Sequence, residues 1–268
     1  MMKVFISCDI EGITTTTVWD ETCTQTKPDI AGPHAHQMTM EVEAACQGAI
    51  AAGASYILVK DAHETATNID LSQLPECVEI IRGWSGNPYS MVTGINGSFD
   101  AAMFIGYHSA AGRKGSPLSH TMSQKALWVK INGEKCSEFQ LYSWAAALEG
   151  VPTVLLSGDR MLCEDSAHLH PMLRTVAVKD GIGGLTKSLA PALALKKIRQ
   201  EAELALAQDL KSALCTLPEA FELEICYKEH KYAVAMAYFP GFEQIDDNTI
   251  RLRTKDYYEV LRAIQFVI

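Results

Sequence analysis

The sequence has no run of basic residues and no long apolar segment, and these two absences exclude several classes of protein. Its 268 residues include 23 Lys and Arg against 32 Asp and Glu, which gives a formal net charge of -9. Such a chain lacks the electrostatic footprint of a protein that binds nucleic acid or an anionic membrane surface. No apolar stretch approaches the roughly 18 residues that a membrane-spanning helix needs. We therefore expect a soluble protein with neither nucleic acid nor a membrane among its partners.

Paired cysteines and nucleotide-binding motifs are also missing. The eight cysteines are scattered without a Cys-x-x-Cys pair. The sequence opens on a strand pattern, and this pattern is not preceded by the charged region and the apolar core that a secretory signal has. This cysteine usage is typical of reduced thiols and predicts a cytoplasmic location. The glycines at 181–184 lack the spacing of a dinucleotide or Walker loop, so nucleotide binding is not predicted.

What the sequence does contain is an alternation of short apolar runs and helical patterns. Strands are predicted at 4–6, 56–59, 78–81, 101–105, 154–156 and 175–178. A helical pattern at 33–52 lies between the first two strands, and strand, helix and strand in succession form a parallel βαβ unit. We therefore predict an α/β fold with three layers around a mostly parallel sheet.

The character of the sequence changes near residue 191. A helical pattern at 192–214 precedes apolar segments and a last helical pattern, which lie at 221–227, 232–238, 250–252 and 256–266. These features predict a smaller α+β domain over residues 191–268, after an α/β metal-binding catalytic domain over residues 1–190. Residues 13–32 have no sustained periodicity and predict a loop, long enough to serve as a lid or an interface arm.

Side chains that bind metals follow three of the predicted strands. Asp9 and Glu11 follow the first strand, His63 the second and His108 the fourth. The carboxyl ends of parallel strands meet at one edge of a sheet, where ligands bind in such folds. A mixed carboxylate and imidazole set suits zinc or a related divalent ion. With Glu138, predicted in the first turn of a helix, there would be five ligands, enough for two metals if one carboxylate bridges them.

His120 is a candidate proton donor or acceptor in a loop between two predicted strands. A histidine that merely orders this loop is an equally good explanation. Cys8 alternates with Asp9 along the first strand and is therefore expected to face the core. Two His-x-His pairs are expected to be solvated side chains rather than ligands: His34 with His36, and His168 with His170.

Four short motifs and one glutamate, taken in their order along the chain, carry a family resemblance: Asp9-Ile10-Glu11-Gly12, Asp61-Ala62-His63, Gly106-Tyr107-His108, Ser119-His120-Thr121-Met122 and Glu138. Together they resemble the M55 family of zinc D-aminopeptidases, closely from residue 3 to about 192 and vaguely beyond. The resemblance implies two zinc ions per chain, with Mn²⁺ or Co²⁺ as alternatives. It makes Asp9 the bridging ligand, pairs Glu11 with His63 on one metal, and pairs His108 with Glu138 on the other. It makes His120 the catalytic histidine.

The resemblance also implies release of N-terminal D-amino acids from short peptides by a self-compartmentalising homodecamer. The chain departs from the family pattern at residues 14–31, Gln140, Tyr142, Ser143 and Arg160. None of these is an implied ligand, so the departures leave the metal chemistry intact and leave substrate preference, including D against L stereochemistry, open. Two alternatives also stay open: a metal-dependent amidohydrolase of another specificity, and a non-catalytic peptide-binding protein that has kept the fold.

Overall fold

The computed structural model describes residues 1–170 and 172–268, which form two sheets and six α-helices. The strands are β1 (Met2–Cys8), β2 (Ala54–Asp61), β3 (Val78–Ile81), β4 (Ala101–Tyr107), β5 (Ala126–Ile131), β6 (Glu134–Lys135), β7 (Thr153–Asp159), β8 (Arg174–Ile182), β9 (Leu185–Ser188), β10 (Phe221–Tyr227), β11 (Phe242–Gln244) and β12 (Thr249–Thr254). The α-helices are α1 (Pro28–Ala51), α2 (Glu138–Leu148), α3 (Arg160–Leu169), α4 (Pro191–Leu206), α5 (His230–Met236) and α6 (Tyr257–Val267).

The larger sheet has seven strands in the order β3-β2-β1-β4-β7-β8-β9. Six of them are parallel to their neighbours, and only β9 at the edge runs antiparallel. The prediction of an α/β fold with a mostly parallel sheet is therefore confirmed. Strand β1 lies between β2 and β4, so the loops that follow these three strands meet at one edge.

Alternate residues of β1 pack into two separate cores, one on each face of the larger sheet. Val4 and Ile6 pack beneath α1 and α4. Phe5 faces the opposite core, where the rings of Phe104 and Phe139 meet edge to face with centroids 5.1 Å apart. Helices therefore cover the strands on both faces. In the part of the chain that the structure describes, none of the helices has the length and apolar character to cross a bilayer.

The second sheet is antiparallel and has the strand order β11-β12-β10-β5-β6. Its strands β5 and β6 come from residues 126–135, before the predicted boundary. Helix α4 lies after that boundary but packs against α1, which covers the larger sheet. The predicted boundary at residues 190 and 191 therefore does not coincide with the division between the sheets. The turn at Asn132-Gly133 does indicate a hairpin in the sequence, but nothing local shows that β5 pairs with the distant β10.

Three segments differ from the sequence-based expectation. Helix α1 begins at Pro28, so residues 28–32 are helical and the prediction of a loop there is wrong. Proline fits the first helical position because its missing N–H would have had no partner there. Helix α4 ends at Leu206, short of the predicted residue 214, and the apolar segment at 232–238 lies mostly in α5.

Gly12 allows the loop after β1 to cross the end of β4 at very close range. Its N–H donates to the carbonyl oxygen of Gly106 at 2.8 Å, and a Cβ at residue 12 would overlap the carbonyl oxygen of Tyr107. Because backbone cannot move aside as a flexible side chain can, we expect Gly12→Ala to lower the free energy of unfolding by about 3 kcal/mol or more. Chemical denaturation measures this loss.

Gly32→Ala is the matched control for that substitution. Gly32 lies within α1, and a Cβ there meets no atom within 4 Å apart from its neighbours in the helix. Alanine has the better helix propensity, but the ring of Pro33 crowds a Cβ at residue 32, so we expect Gly32→Ala to change the free energy of unfolding by no more than about 1 kcal/mol. A Gly12→Ala protein as stable as the Gly32→Ala protein would contradict the role given to Gly12.

Candidate metal centre

The five predicted ligands converge at the carboxyl edge of the larger sheet. Asp9 directly follows β1, His63 lies two residues beyond β2, and His108 directly follows β4. Glu138 is the first residue of α2, whose N-terminus points at the same edge, and Glu11 lies in the loop after β1. All five side chains are buried. The strand-end residues selected from the sequence therefore lie together with Glu138, while their role as ligands stays a prediction.

A first group consists of Asp9, Glu11 and His63, whose polar atoms lie within 4.8 Å of one another. His63 Nδ1 is 3.3 Å from Asp9 Oδ1 and 3.1 Å from Glu11 Oε2. The other ring nitrogen, Nε2, donates to the carbonyl oxygen of Thr22 at 2.8 Å, since a carbonyl can only accept. This contact leaves Nδ1 facing the two carboxylates and fixes the ring, as backbone acceptors do for metal-binding histidines.

A second group forms around His108 and Glu138. His108 Nε2 is 3.3 Å from Glu138 Oε2 and 3.5 Å from Asp9 Oδ2, while its Nδ1 donates to the carbonyl oxygen of Ser109 at 3.0 Å. Asp9 therefore turns Oδ1 toward the first group and Oδ2 toward the second. A single carboxylate shared in this way is the arrangement needed for a ligand that bridges two ions.

His120 adjoins the second group but also borders open space. Its Nε2 is 3.4 Å from Glu138 Oε1, and its Nδ1 donates to the carbonyl oxygen of Leu118 at 2.9 Å. The ring stacks on that of His108 with centroids 4.3 Å apart. It also packs edge to face with the Trp19 ring, with centroids 5.3 Å apart. Burial and the neighbouring charge of His108 lower the pKa of His120, which favours a neutral imidazole with a free Nε2 lone pair.

Without a cation, bound protons balance the charges of the site. Burial, reinforced by the nearby Glu11, raises the pKa of Asp9 to about 8. Burial acts to lower the pKa of His108, but the Glu138 carboxylate raises that pKa to about 10. Asp9 and His108 thus retain protons, which offset the repulsion among the buried carboxylates. A bound divalent cation would supply the same compensation and displace those protons.

The spacing of the polar atoms fits a metal ion. Among the described residues, Glu11 Oε2 and His108 Nε2 are buried and have no hydrogen-bond partner, although each lies within 3.5 Å of another candidate ligand atom. Ligands about 2.0–2.2 Å from a tetrahedral zinc ion are roughly 3.4 Å apart. Buried ligand atoms at this separation that do not bond each other are what a shared cation would explain.

A pocket of about 320 Å³ opens onto both groups. Its walls include Trp19, Thr22 and Cys23 from the loop after β1, and Trp84 and Met122 from other loops. The N-terminal part of the predicted lid or interface arm therefore covers the candidate metal centre. Through Thr22 the same loop also holds the ring of His63.

Comparison with known proteins agrees with this geometry. The family model of peptidase M55, described as D-aminopeptidase, matches residues 2–266. The chain belongs to this family.

Two comparisons extend across almost the whole length of this M55 peptidase. The D-aminopeptidase of Bacillus subtilis (strain 168) is 28% identical over 265 residues, which cover 98% of this chain and 95% of the relative. A solved structure, that of the zinc-dependent D-aminopeptidase DppA from Bacillus subtilis, described as a self-compartmentalizing protease, matches with a TM-score of 0.89 at 28% identity. The match covers 98% of this chain and 95% of that one.

The remaining sequence candidates of this M55 peptidase have other surroundings. Cys8 is fully buried in the core beneath α1, as predicted, and burial raises the pKa of its thiol well above the usual range. His36 and His168 are exposed, whereas His34 is half-buried and bonded to Thr16. The prediction that His170 is solvated is wrong, because it is buried with the Phe139 ring edge against it.

Sequence reasoning missed the residues that shape the pocket. Trp19, Trp84 and Glu64 lie in loops without periodicity, and only the folded chain brings them to one cavity. For Glu64 a signal was available, since it directly follows His63 at the end of a strand. The tryptophans carry no such signal, because aromatic side chains in loops are as often packed as functional.

Proposed function

We propose that this chain is a zinc-dependent D-aminopeptidase that removes the N-terminal residue from short peptides with two metal ions per chain. The observation that carries the proposal is the division of Asp9 between two buried ligand groups, in a chain matched by the D-aminopeptidase family over residues 2–266. In this proposal Asp9 would be shared by the two ions, Glu11 and His63 would complete one site, and His108 and Glu138 would complete the other. The zinc dependence of the Bacillus subtilis relative supports zinc, and the donor set also suits Mn²⁺ or Co²⁺.

When bound, such a metal pair polarises the scissile carbonyl and lowers the pKa of a bound water. The protein orients its own ligands by the backbone acceptors Thr22 for His63 and Ser109 for His108. The walls of the pocket, including Trp19 and Trp84, place aromatic surface beside the two ligand groups, where a substrate side chain could pack.

His120 is assigned the proton transfer and the stabilisation of developing charge. It lines the pocket, its ring is held through Nδ1 by the Leu118 carbonyl, and Nε2 is left with a lone pair. Its lowered pKa suits a group that takes up a proton at Nε2 and delivers it to the leaving amine.

We also propose a cytoplasmic homo-oligomer, with a decamer as the specific arrangement. The description of the Bacillus subtilis relative as a self-compartmentalizing protease supports an oligomer. The scattered cysteines, all free thiols in the structure, support a reducing compartment. In such an assembly the substrates would be short peptides able to enter an enclosed space.

A substrate panel with metal removal tests the proposed function. We expect hydrolysis of D-aminoacyl amides well above that of their L counterparts, loss of this activity after chelation, and recovery on addition of zinc. Preference for cyclic amides would favour an amidohydrolase of another specificity. Tight binding of D-peptides with no hydrolysis in the presence of zinc would favour a binding protein.

A further inference from the structure

The catalytic pocket contains one carboxylate that neither metal group uses. Its described lining includes Asp9, Glu11, Glu138 and Glu64, and contains no Lys or Arg. The first three face the imidazoles of the candidate metal centre. We propose that Glu64 binds the free α-ammonium group of the substrate and so determines specificity for an unblocked N-terminus. This inference rests on the proposed aminopeptidase function and names a residue for it.

Glu64 lies on the wall of the pocket that opens onto both proposed ligand groups. It directly follows His63 and lines the same pocket. An aminopeptidase must hold the terminal amine within a residue's length of the scissile carbonyl. A carboxylate that accepts hydrogen bonds from an ammonium group forms one of the stronger polar contacts available in proteins.

The backbone of Glu64 is held in a conformation that a glutamate does not favour. Its φ is 47°, in the left-handed region where glycine and asparagine are the common residues. The N–H of Ala66 donates to the carbonyl oxygen of His63 at 2.7 Å, and Trp84 Nε1 donates to the carbonyl oxygen of Glu64 at 2.7 Å. Strained residues held in place by surrounding contacts concentrate at functional sites, which is consistent with a role in binding.

The carboxylate itself is available to a ligand. The side chain is exposed, and its contact within the described residues is with the neutral hydroxyl of Thr24, which donates to Oε2 at 3.3 Å. Thr24 is in turn only 2.6 Å from Asn68 Oδ1, so it is shared between two acceptors. The buried cation Lys60 lies behind the pocket wall, with Nζ 4.1 Å from the Trp84 ring centroid. It donates to the carbonyl oxygens of Asp61 and Gly83.

Glu64→Gln tests the inference, because it keeps the shape and removes the charge. With the zinc-loaded protein, we expect kcat/KM for D-alanine amide to fall about tenfold or more, chiefly through a raised KM, since a hydrogen bond to a charged group contributes about 1.5–3 kcal/mol. The kcat/KM for N-acetyl-D-alanine amide should be unchanged. If the wild type does not turn over the acetylated compound, its inhibition constant against D-alanine amide serves in place of kcat/KM.

Two further variants make the result decisive. Glu64→Asn also removes the charge, in a residue that adopts the left-handed conformation readily, and should lose the same selectivity without a folding defect. Glu76→Gln changes an exposed glutamate outside the pocket and should behave as wild type.

The failures of the two proposals can be told apart. Unchanged selectivity in an active Glu64→Gln enzyme, or an equal loss on both compounds, would overturn the role of Glu64 and leave the aminopeptidase function standing. A wild-type protein that hydrolyses neither compound would overturn the proposed function itself.

Discussion

Replacing His120 by alanine is expected to abolish turnover while leaving the zinc content of the protein unchanged. General acid–base catalysis by one positioned side chain contributes roughly 10²- to 10⁴-fold, so kcat should fall by that range or below detection. The metal should stay because the five proposed ligands are untouched. The rings of His63 and His108 are also held by separate backbone acceptors. The measurement pairs kcat for D-alanine amide with metal analysis of the same sample.

This prediction also decides between two roles for His120. Its Nε2 lies 3.4 Å from Glu138 Oε1, and it belongs with His108 and Glu138 to a set of atoms within 4.8 Å of one another. A His120→Ala protein that loses about one zinc per chain would therefore make His120 a third ligand. Full activity in the variant would refute any chemical role. His36→Ala, an exposed histidine on α1, should match the wild type in both measurements.

Loss of Asp9 is expected to empty both metal sites, whereas loss of Glu11 should chiefly weaken one. The reason is geometric, since Asp9 Oδ1 faces His63 and Asp9 Oδ2 faces His108. Among the ion pairs of the described residues, Glu11 contacts His63 but not His108. After purification without chelator, Asp9→Ala should carry well under one zinc per chain and Glu11→Ala about one.

Glu11→Ala serves as the matched control for Asp9→Ala, because it removes a carboxylate of the same group from the same loop. Circular dichroism of both proteins checks that the sheet is retained. Tight retention of one zinc by the Asp9→Ala protein would contradict a bridge. Equal and complete metal loss in both variants would show that the two groups do not bind independently.

The sequence predicted that the candidate ligands converge, but it did not predict the second sheet. The first depends on local patterns, whereas the second depends on pairing between distant segments. Asp9 and His108 follow buried parallel strands, and the geometry of a parallel sheet brings all such strand ends to one edge whatever the loops do. That rule needs only local patterns. Their convergence with His63 is therefore visible in the sequence. Glu138 begins a helix, so this rule does not place it, and the role of all these residues as ligands stays a prediction.

Long-range pairing and loop packing had no comparable local signal. Strand β5 joins β10 through contacts such as Val129 with Ile225, which hydrophobic periodicity cannot match to each other. Tertiary packing places the aromatic and apolar segment at 232–238 mostly in a helix. Trp19 contacts His120 from the loop after β1, where Glu21 accepts hydrogen bonds from two backbone N–H groups.

A crystal structure of the zinc-loaded protein, with anomalous data at the zinc absorption edge, tests the central claim most directly. We predict two anomalous peaks per chain, one among Asp9, Glu11 and His63 and the other among Asp9, His108 and Glu138, with one Asp9 oxygen directed at each. A single peak, or a second peak without Asp9 beside it, would contradict the dinuclear assignment.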